Sequence, residues 1–203
     1  MKHNPIQINR NTYDHIASHF ARTTAWMDAD FIARAKHFIQ QLPPQTTLLD
    51  LGCGPGRDLS WFTQQGIDAI GADLSYGMLK EAQQAGISNL CQMEMRHLPF
   101  ADHSFSGVWC NAALIHIPKG DIPTTLAEIR RVLLPGGRFC VSIQQGSGEK
   151  IERHSLLGNR RFLARYALEE MREYITQAGF VVCSQEAYEF RRKWLWFECE
   201  VGA

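Results

Sequence analysis

The sequence predicts one three-layer α/β domain with a mostly parallel, seven-stranded sheet, and three observations lead there. Short apolar runs (TTLLDL, IDAIGAD, FSGVWCN and GRFCVSI) alternate with amphipathic helical stretches, the pattern of a parallel sheet covered by helices. The last two apolar runs, FVVCSQEAYEF and KWLWFECEV, are separated only by the charged turn 191–193, which predicts an antiparallel hairpin finishing the sheet. A length of 203 residues suits one domain with at most a small appendage.

The elements follow in order. After the polar start MKHNPIQINR, the stretches NTYDHIASHFARTT and DADFIARAKHFIQQL place apolar groups at helical spacing. Phe31, Ala35, Phe38 and Leu42 share one face, and Pro43 and Pro44 end the second helix. SYGMLKEAQQAG and DIPTTLAEIRRVLLPGG read as helices closed by glycine. Residues 144–165 are polar, basic and interrupted by glycine, and read as a long loop or small cap. ALEEMREYITQAG returns to helical spacing. In the last strand Trp194 and Trp196 alternate with Leu195, Phe197 and Cys199, so both faces are expected to be buried.

Composition removes several classes. Hydrophobic residues at 45% and charged residues at 21% are globular values, unlike those of disordered or disulfide-scaffold chains. Lys plus Arg and Asp plus Glu both number 21, so the overall positive charge of a nucleic-acid binder is missing. The six cysteines form no C-x-x-C pair and lie in or beside apolar runs, so reduced core thiols are expected, with no metal site. No signal core opens the chain and no apolar run is long enough for a membrane helix, which leads us to expect a soluble, cytoplasmic protein without a membrane partner.

The strongest local signal is LLDLGCGPGRD, residues 48–58, where an apolar strand runs into Gly52, Gly54 and Gly56 and then a helix. Alternate glycines allow a tight turn and let a ligand approach the backbone, and the free N–H groups of the helix start favour an anion. A dinucleotide fingerprint, G-x-G-x-x-G, would need glycine where Arg57 stands. That weakens a nicotinamide or flavin dinucleotide relative to a smaller adenosyl cofactor. The next strand ends in Asp73, 23 positions after Asp50, where a carboxylate can accept from both hydroxyls of a ribose. The competing role there is a helix cap, which Ser75 could fill equally well.

The G-x-G-x-G turn with Asp50 resembles motif I of the class I S-adenosylmethionine-dependent methyltransferases, of the small bacterial type. MEMRHLPFADHSFSGVWCNAALIHIP is similar to the stretch that meets the adenine and then forms the fourth strand, and LAEIRRVLLPGGRFCVSI to the motif III region. YDHIASHF and LEEMREYITQAGF extend the likeness to most of the chain. The resemblance implies a Rossmann-like fold and S-adenosyl-L-methionine as cofactor, with S-adenosyl-L-homocysteine as product. It places Asp50 and the turn Gly52, Cys53, Gly54 and Gly56 at the methionine end, Asp73 on the ribose with Leu74 and Met78 beside it, and Glu94 and Met95 at the adenine. Asn111 would lie under the methionine portion and Tyr13 would close over the cofactor. Two departures are Ser106 and Gly107 after Phe105, where the family usually has Asp, and Glu94 in place of the commoner Asp.

Methyl transfer from a sulfonium is an in-line displacement that positioning alone can accelerate. Where the acceptor must lose a proton a base helps, and His116, after the fourth strand at the ligand-binding edge, is the candidate; a local packing role is the alternative. Residues 150–165 hold Lys150, Arg153, Arg160, Arg161 and Arg165 against Glu152 alone. Arg153, Arg160 and Arg161, with Trp26 after the first helix, are the candidate substrate contacts. An acidic small-molecule acceptor, an RNA phosphate and a merely solvated loop all remain open for this segment. The expected division is a helical lid (1–43), a cofactor-binding core (44–144), a basic insertion or cap (145–165) and a closing helix with hairpin (166–203). The expected function is methyl transfer to a small molecule. A tRNA or RNA methyltransferase and a non-catalytic binding module are the alternatives, and oligomeric state is unread.

Overall fold

β1 (Thr47–Leu51) is buried on both faces because parallel neighbours flank it, β2 (Asp68–Asp73) on one side and β4 (Phe105–Asn111) on the other. The structure, a computed structural model, describes residues 4–154 and 158–202. Residues 1–3, 155–157 and 203, which fall within the expected lid, basic segment and closing hairpin, lie outside the described residues. With β3 (Leu90–Gln92), β5 (Leu133–Gln144), β8 (Phe180–Phe190) and β9 (Arg192–Val201), the sheet has seven strands in the order β3-β2-β1-β4-β5-β9-β8. β9 pairs antiparallel with both β5 and β8, so it alone opposes the other strands. Strand order reverses between β1 and β4, and at such a switch point the carboxyl ends of open parallel strands leave a crevice for a ligand.

Helices cover both faces. α2 (Ala29–Gln40) and α3 (Arg57–Gln64) send Ala35, Phe38, Leu59 and Phe62 onto Leu48, Trp109 and Trp196. Trp109 is fully buried, with the rings of Phe38, Phe62 and Trp196 at 5.4, 5.2 and 5.1 Å. On the opposite face α5 (Ile122–Val132) and α6 (Leu168–Gln177) bury Leu126, Ile129, Met171 and Ile175 with Leu49, Val108 and Leu195. Leu195 and Trp196 thus enter different halves of the core, and both faces of β9 are buried as expected.

Several local expectations need correction. α1 runs from Pro5 to Thr23, six residues earlier than the apolar periodicity indicates, because Asn4 caps it by accepting from Ile6 N–H at 3.0 Å and Pro5 occupies its first turn. α5 stops at Val132, short of the LLPGG glycines; Leu133 already pairs with Phe105, and Pro135 favours extended backbone before it. The segment read as a loop or small cap contains a two-stranded antiparallel sheet, β6 (Glu149–Arg153) with β7 (Arg160–Ala164). Its anchor is remote in sequence: the Asn9 side chain of α1 accepts from Phe162 N–H at 2.8 Å and donates to Phe162 C=O at 3.1 Å, acting as a further strand partner. All six cysteines are free thiols, but Cys183 is exposed and Cys91 half-buried, so the core reading holds for the other four alone. Among the described residues no helix is long and apolar enough to cross a membrane.

α1 lies across the start of α4 (Tyr76–Gln84). Ser75 caps α4, accepting from Met78 N–H at 3.1 Å, and its hydroxyl donates to Asp14 of α1 at 2.6 Å. The same carboxylate oxygen accepts from Gly77 N–H at 2.8 Å. A Cβ on Gly77 would lie 2.8 Å from Asp14 Cα, so only glycine permits this crossing. Gly77→Ala is expected to lift α1 from α4 at a cost of roughly 1–3 kcal/mol. Hydrogen exchange would register it as faster exchange of the α1 amides with the central strands unaffected; unchanged α1 protection would show that the close crossing is dispensable.

Candidate functional site

A cavity of about 410 Å³ opens at the carboxyl ends of β1, β2 and β4, roofed by α1 and the α1–α2 connection. The glycine turn forms its floor, and its three glycines answer different needs. A Cβ on Gly52 (φ +79°) would come within 2.2 Å of the Ala113 Cβ, and one on Gly56 (φ +84°) within 2.3 Å of Ile87. These two glycines allow close packing. Gly54 (φ +55°) has nothing within 4 Å of its Cβ position, which leaves open the approach to its backbone. Gly56 supplies the tight contact with α4 one position before the place a dinucleotide fingerprint assigns it. Arg57 is thereby free to pair with its neighbour Asp58 at 2.7 Å and to lie 4.7 Å over the Phe31 ring of α2.

Asp73 is fixed in orientation. One of its oxygens accepts from Gly54 N–H at 2.9 Å and the other from Ser75 N–H at 2.8 Å, and each retains a second acceptor direction. Burial raises its pKa, while these backbone donors work in the opposite sense. The helix-cap role at this turn belongs to Ser75. Asp50 is 2% exposed, lines the cavity, and its Oδ2 has no hydrogen-bond partner among the described residues. Burial, reinforced by the nearby Asp58 carboxylate, pushes its pKa well up. Asp58 accepts from Trp109 Nε1 and Asn111 Nδ2, both at 3.0 Å. Asp50, Asp58 and Asp73 therefore all line the cavity around the glycine turn, an arrangement suited to a cationic ligand with a pair of hydroxyls.

The remaining expected cofactor residues also line this cavity, apart from Gly56 behind the turn. Leu74 and Met78 flank Asp73, with Met78 buried against Ile16 and Ala17 of α1. The Cys53 thiol is buried, which pushes its pKa well up, so it is a packing group. Glu94 faces the cavity while accepting from Arg96 Nε at 2.8 Å and Arg96 N–H at 3.0 Å; Met95 is adjacent. Asn111 spends its amide on Asp58 and its carbonyl on the Ser142 hydroxyl, and so braces the wall it lines.

Tyr13 and His116 are joined, with Tyr13 Oη 2.8 Å from His116 Nε2. His116 Nδ1 lies 3.1 Å from the Phe162 carbonyl, which can only accept, so Nδ1 carries the proton and Nε2 accepts from the tyrosine hydroxyl. Burial pushes the His116 pKa down to about 3 and the Tyr13 pKa up. The proposed base is therefore neutral and already holds a hydrogen bond.

The candidate substrate contacts separate. Trp26 lines the cavity mouth. Arg153 and Arg160 are cross-strand partners on the outer hairpin and do not line the cavity. Arg161 lies behind Tyr13 and pairs with Glu152 at 3.2 Å. Glu152 also meets Arg165 at 2.7 Å and Lys150 and Arg192 at 3.6 Å. Burial opposes its ionisation, but hydrogen bonds from Arg165 and Arg161 outweigh that and hold its carboxyl down to about 2. Much of the positive charge of this segment is thus consumed internally. Sequence reading missed the aromatic part of the mouth, Phe31 with Tyr188, Phe190 and Trp194, since nothing local links the start of α2 to the β8–β9 tip. Among the described residues no three His, Cys, Asp or Glu side chains gather as a metal site.

Residues 49–141, which span the glycine turn, Asp73 and the β4 edge, match the family model of a methyltransferase domain. That stretch, just under half of the chain, carries its likeness to the class I S-adenosylmethionine-dependent methyltransferases. A demethylmenaquinone methyltransferase of Symbiobacterium thermophilum is 32% identical over 152 residues, 66% of this chain and 57% of that protein. A probable tRNA methyltransferase 9B of Homo sapiens is 25% identical over 150 residues, 70% of this chain and 31% of that protein. The chain spans about a third to somewhat over half the length of the curated relatives it matches. Its fold is that of the Burkholderia thailandensis 1,6-didemethyltoxoflavin-N1-methyltransferase, with a TM-score of 0.79 and 21% identity over 100% of this chain and 92% of that one. S-adenosylmethionine is the cofactor that this likeness implies, and the site fits it: the Asp50 oxygen without a partner among the described residues, the open Gly54 and the oriented Asp73 suit its ammonium, methionine and ribose groups.

Folding raises the Asp50 pKa, so the folded protein keeps this proton where the unfolded chain has lost it, and stability falls as pH rises above the ordinary carboxylate value. Asp50→Asn is expected to raise the melting temperature of the ligand-free protein more at about pH 8 than at about pH 4, while weakening cofactor binding. Thermal unfolding at the two pH values checks this; an equal effect at both would mean that Asp50 is already ionised in the free protein.

Proposed function

We propose that the chain transfers the methyl group of S-adenosylmethionine to a small-molecule acceptor, mainly by positioning, with Tyr13 and His116 receiving the acceptor proton. One observation carries this reading: the oriented Asp73 carboxylate and the Tyr13–His116 pair open on the same cavity. When bound, the cofactor supplies an electrophilic methyl on a cationic sulfur. Asp73 holds the ribose hydroxyls, Asp50 and the Gly52–Gly54 backbone hold the methionine end, and Glu94 with Met95 frames the adenine. Tyr13 presents its oxygen to the acceptor; as that oxygen takes a proton, its own passes along the existing hydrogen bond to His116 Nε2. The Phe162 carbonyl, bonded to Nδ1–H, supports the resulting imidazolium. α1 and the α1–α2 connection act as the lid that keeps water away. The name of the demethylmenaquinone relative points to a small acceptor. An RNA acceptor, which the tRNA relative suggests, is disfavoured because Lys150, Arg161 and Arg165 gather on Glu152 and are so drawn away from a phosphate backbone.

Two measurements test these assignments. Asp73→Ala removes both backbone-anchored oxygens and is expected to weaken S-adenosylhomocysteine binding by roughly a hundredfold in calorimetry with the fold retained; an unchanged isotherm would remove Asp73 from the site. The depressed His116 pKa means the unfolded chain binds this proton first as pH falls, so His116 contributes stability that is complete above about pH 6.5 and lost progressively toward pH 3. His116→Gln is expected to flatten the acid limb of the stability curve in that window and to slow turnover by about 10²-fold. Slowed turnover with an unaltered acid limb would mean that His116 is protonated in the folded protein.

A further inference from the structure

We infer that the acceptor half of the cavity is built for a planar aromatic acid, a ring that carries an anionic substituent besides the atom to be methylated. This deepens the methyltransferase reading and rests on it. Away from Asp50, Asp58 and Asp73, the wall comes from two segments distant in sequence, Trp26 and Phe31 around the α1–α2 connection and Tyr188, Phe190 and Trp194 at the β8–β9 tip; Asp28, which caps α2, Asp30 and Glu189 lie among them. Trp26 and Phe190 are 48% and 38% exposed although their rings meet edge to face at 5.5 Å. Large rings on separate elements, left wet around one cavity, are an unfavourable surface that a flat ligand would cover. Guanidiniums brace the neighbouring rings: Arg34 lies 4.2 Å over Tyr188 and Arg57 lies 4.7 Å over Phe31. Both of these cations are committed to carboxylates, Glu186 and Asp58.

Arg191 differs from both. It lies 5.9 Å from the Trp26 ring centre and 5.5 Å from that of Phe190, and it takes part in no ion pair among the described residues. It occupies the hairpin tip with φ +55°, a left-handed conformation that turns normally give to glycine or asparagine. A strained non-glycine residue beside a site persists where its side chain is used. The Arg191 guanidinium, flanked by two rings and lacking an internal acid, is a ready partner for a carboxylate or phenolate. The rings would fix the plane of the acceptor and Arg191 its charged end, leaving the opposite edge of the ring for Tyr13.

Calorimetric titration of the protein loaded with S-adenosylhomocysteine tests this with three probes: a hydroxynaphthoate, naphthol and hydroxybutyrate. The naphthoate is expected to bind about tenfold more tightly than naphthol, and hydroxybutyrate not measurably. Arg191→Gly relieves the backbone strain and so keeps the fold, and it should abolish the preference for naphthoate over naphthol. Trp26→Ala should weaken both rings by roughly five- to tenfold. Hydroxybutyrate binding as tightly as the naphthoate, no naphthoate binding by the loaded protein, or a preference unchanged in Arg191→Gly would each overturn the inference while leaving the methyltransferase reading in place. Failure to bind S-adenosylhomocysteine at the outset would instead sink that reading.

Discussion

The buried carboxylate of Asp58 holds the crevice together. It accepts from the Trp109 indole and the Asn111 amide and pairs with Arg57; Asn111 in turn accepts from Ser142, whose oxygen also receives Ala112 N–H. This polar thread ties the start of α3, which belongs to no strand ladder, to the ends of β4 and β5, themselves paired at Asn111 and Ser142. Asp58 also lies in the first turn of α3, where the helix dipole favours a negative charge. Beneath it the aromatic nucleus around Trp109 excludes water, so the thread works in a medium where each satisfied bond counts for more and each broken one costs more.

The Asp58 carboxylate has a consequence for its neighbours. Asp50 and Asp73 open on the same cavity, and like charges at close quarters cannot all be held without compensation. Asp73 is compensated by backbone N–H groups from Gly54 and Ser75. Asp50, with one oxygen unpartnered among the described residues, has its pKa pushed well up by burial and by the Asp58 carboxylate.

How much of this could be read in the sequence depended on distance along the chain. The glycine turn, Asp73 and the strand alternation are local patterns, and the structure places them as the periodicities indicate. The β6–β7 hairpin was not legible because its decisive partner is Asn9, 153 positions from Phe162. The basic segment looked like a substrate cap because charge can be counted in sequence whereas pairing cannot; Glu152 gathers cations from both of its strands and from β9. The aromatic mouth joins Trp26 to Phe190 and carries no local signature. His116 could be placed at the right edge, but its neutral state follows from burial and from a carbonyl that belongs to β7.

Arg57 shows why the turn selects an adenosyl sulfonium over a dinucleotide on grounds stronger than a missing glycine. Gly56 already provides the close approach to α4, so the next position is sterically free, and its arginine reaches from Asp58 to the Phe31 ring of the lid. A pyrophosphate would need the α3 start as a positive cradle. There the Asp58 carboxylate occupies the first turn and the Asp50 carboxyl faces the cavity beside it, so a doubly charged anion would meet acids in place of free donors. A cationic ligand meets the reverse situation, with its charge drawn to the groups that would repel a phosphate. Arg57, which breaks the dinucleotide pattern, and Asp58, which disfavours a dinucleotide, are consecutive in the chain, and with Asp50 they set the sign of the site.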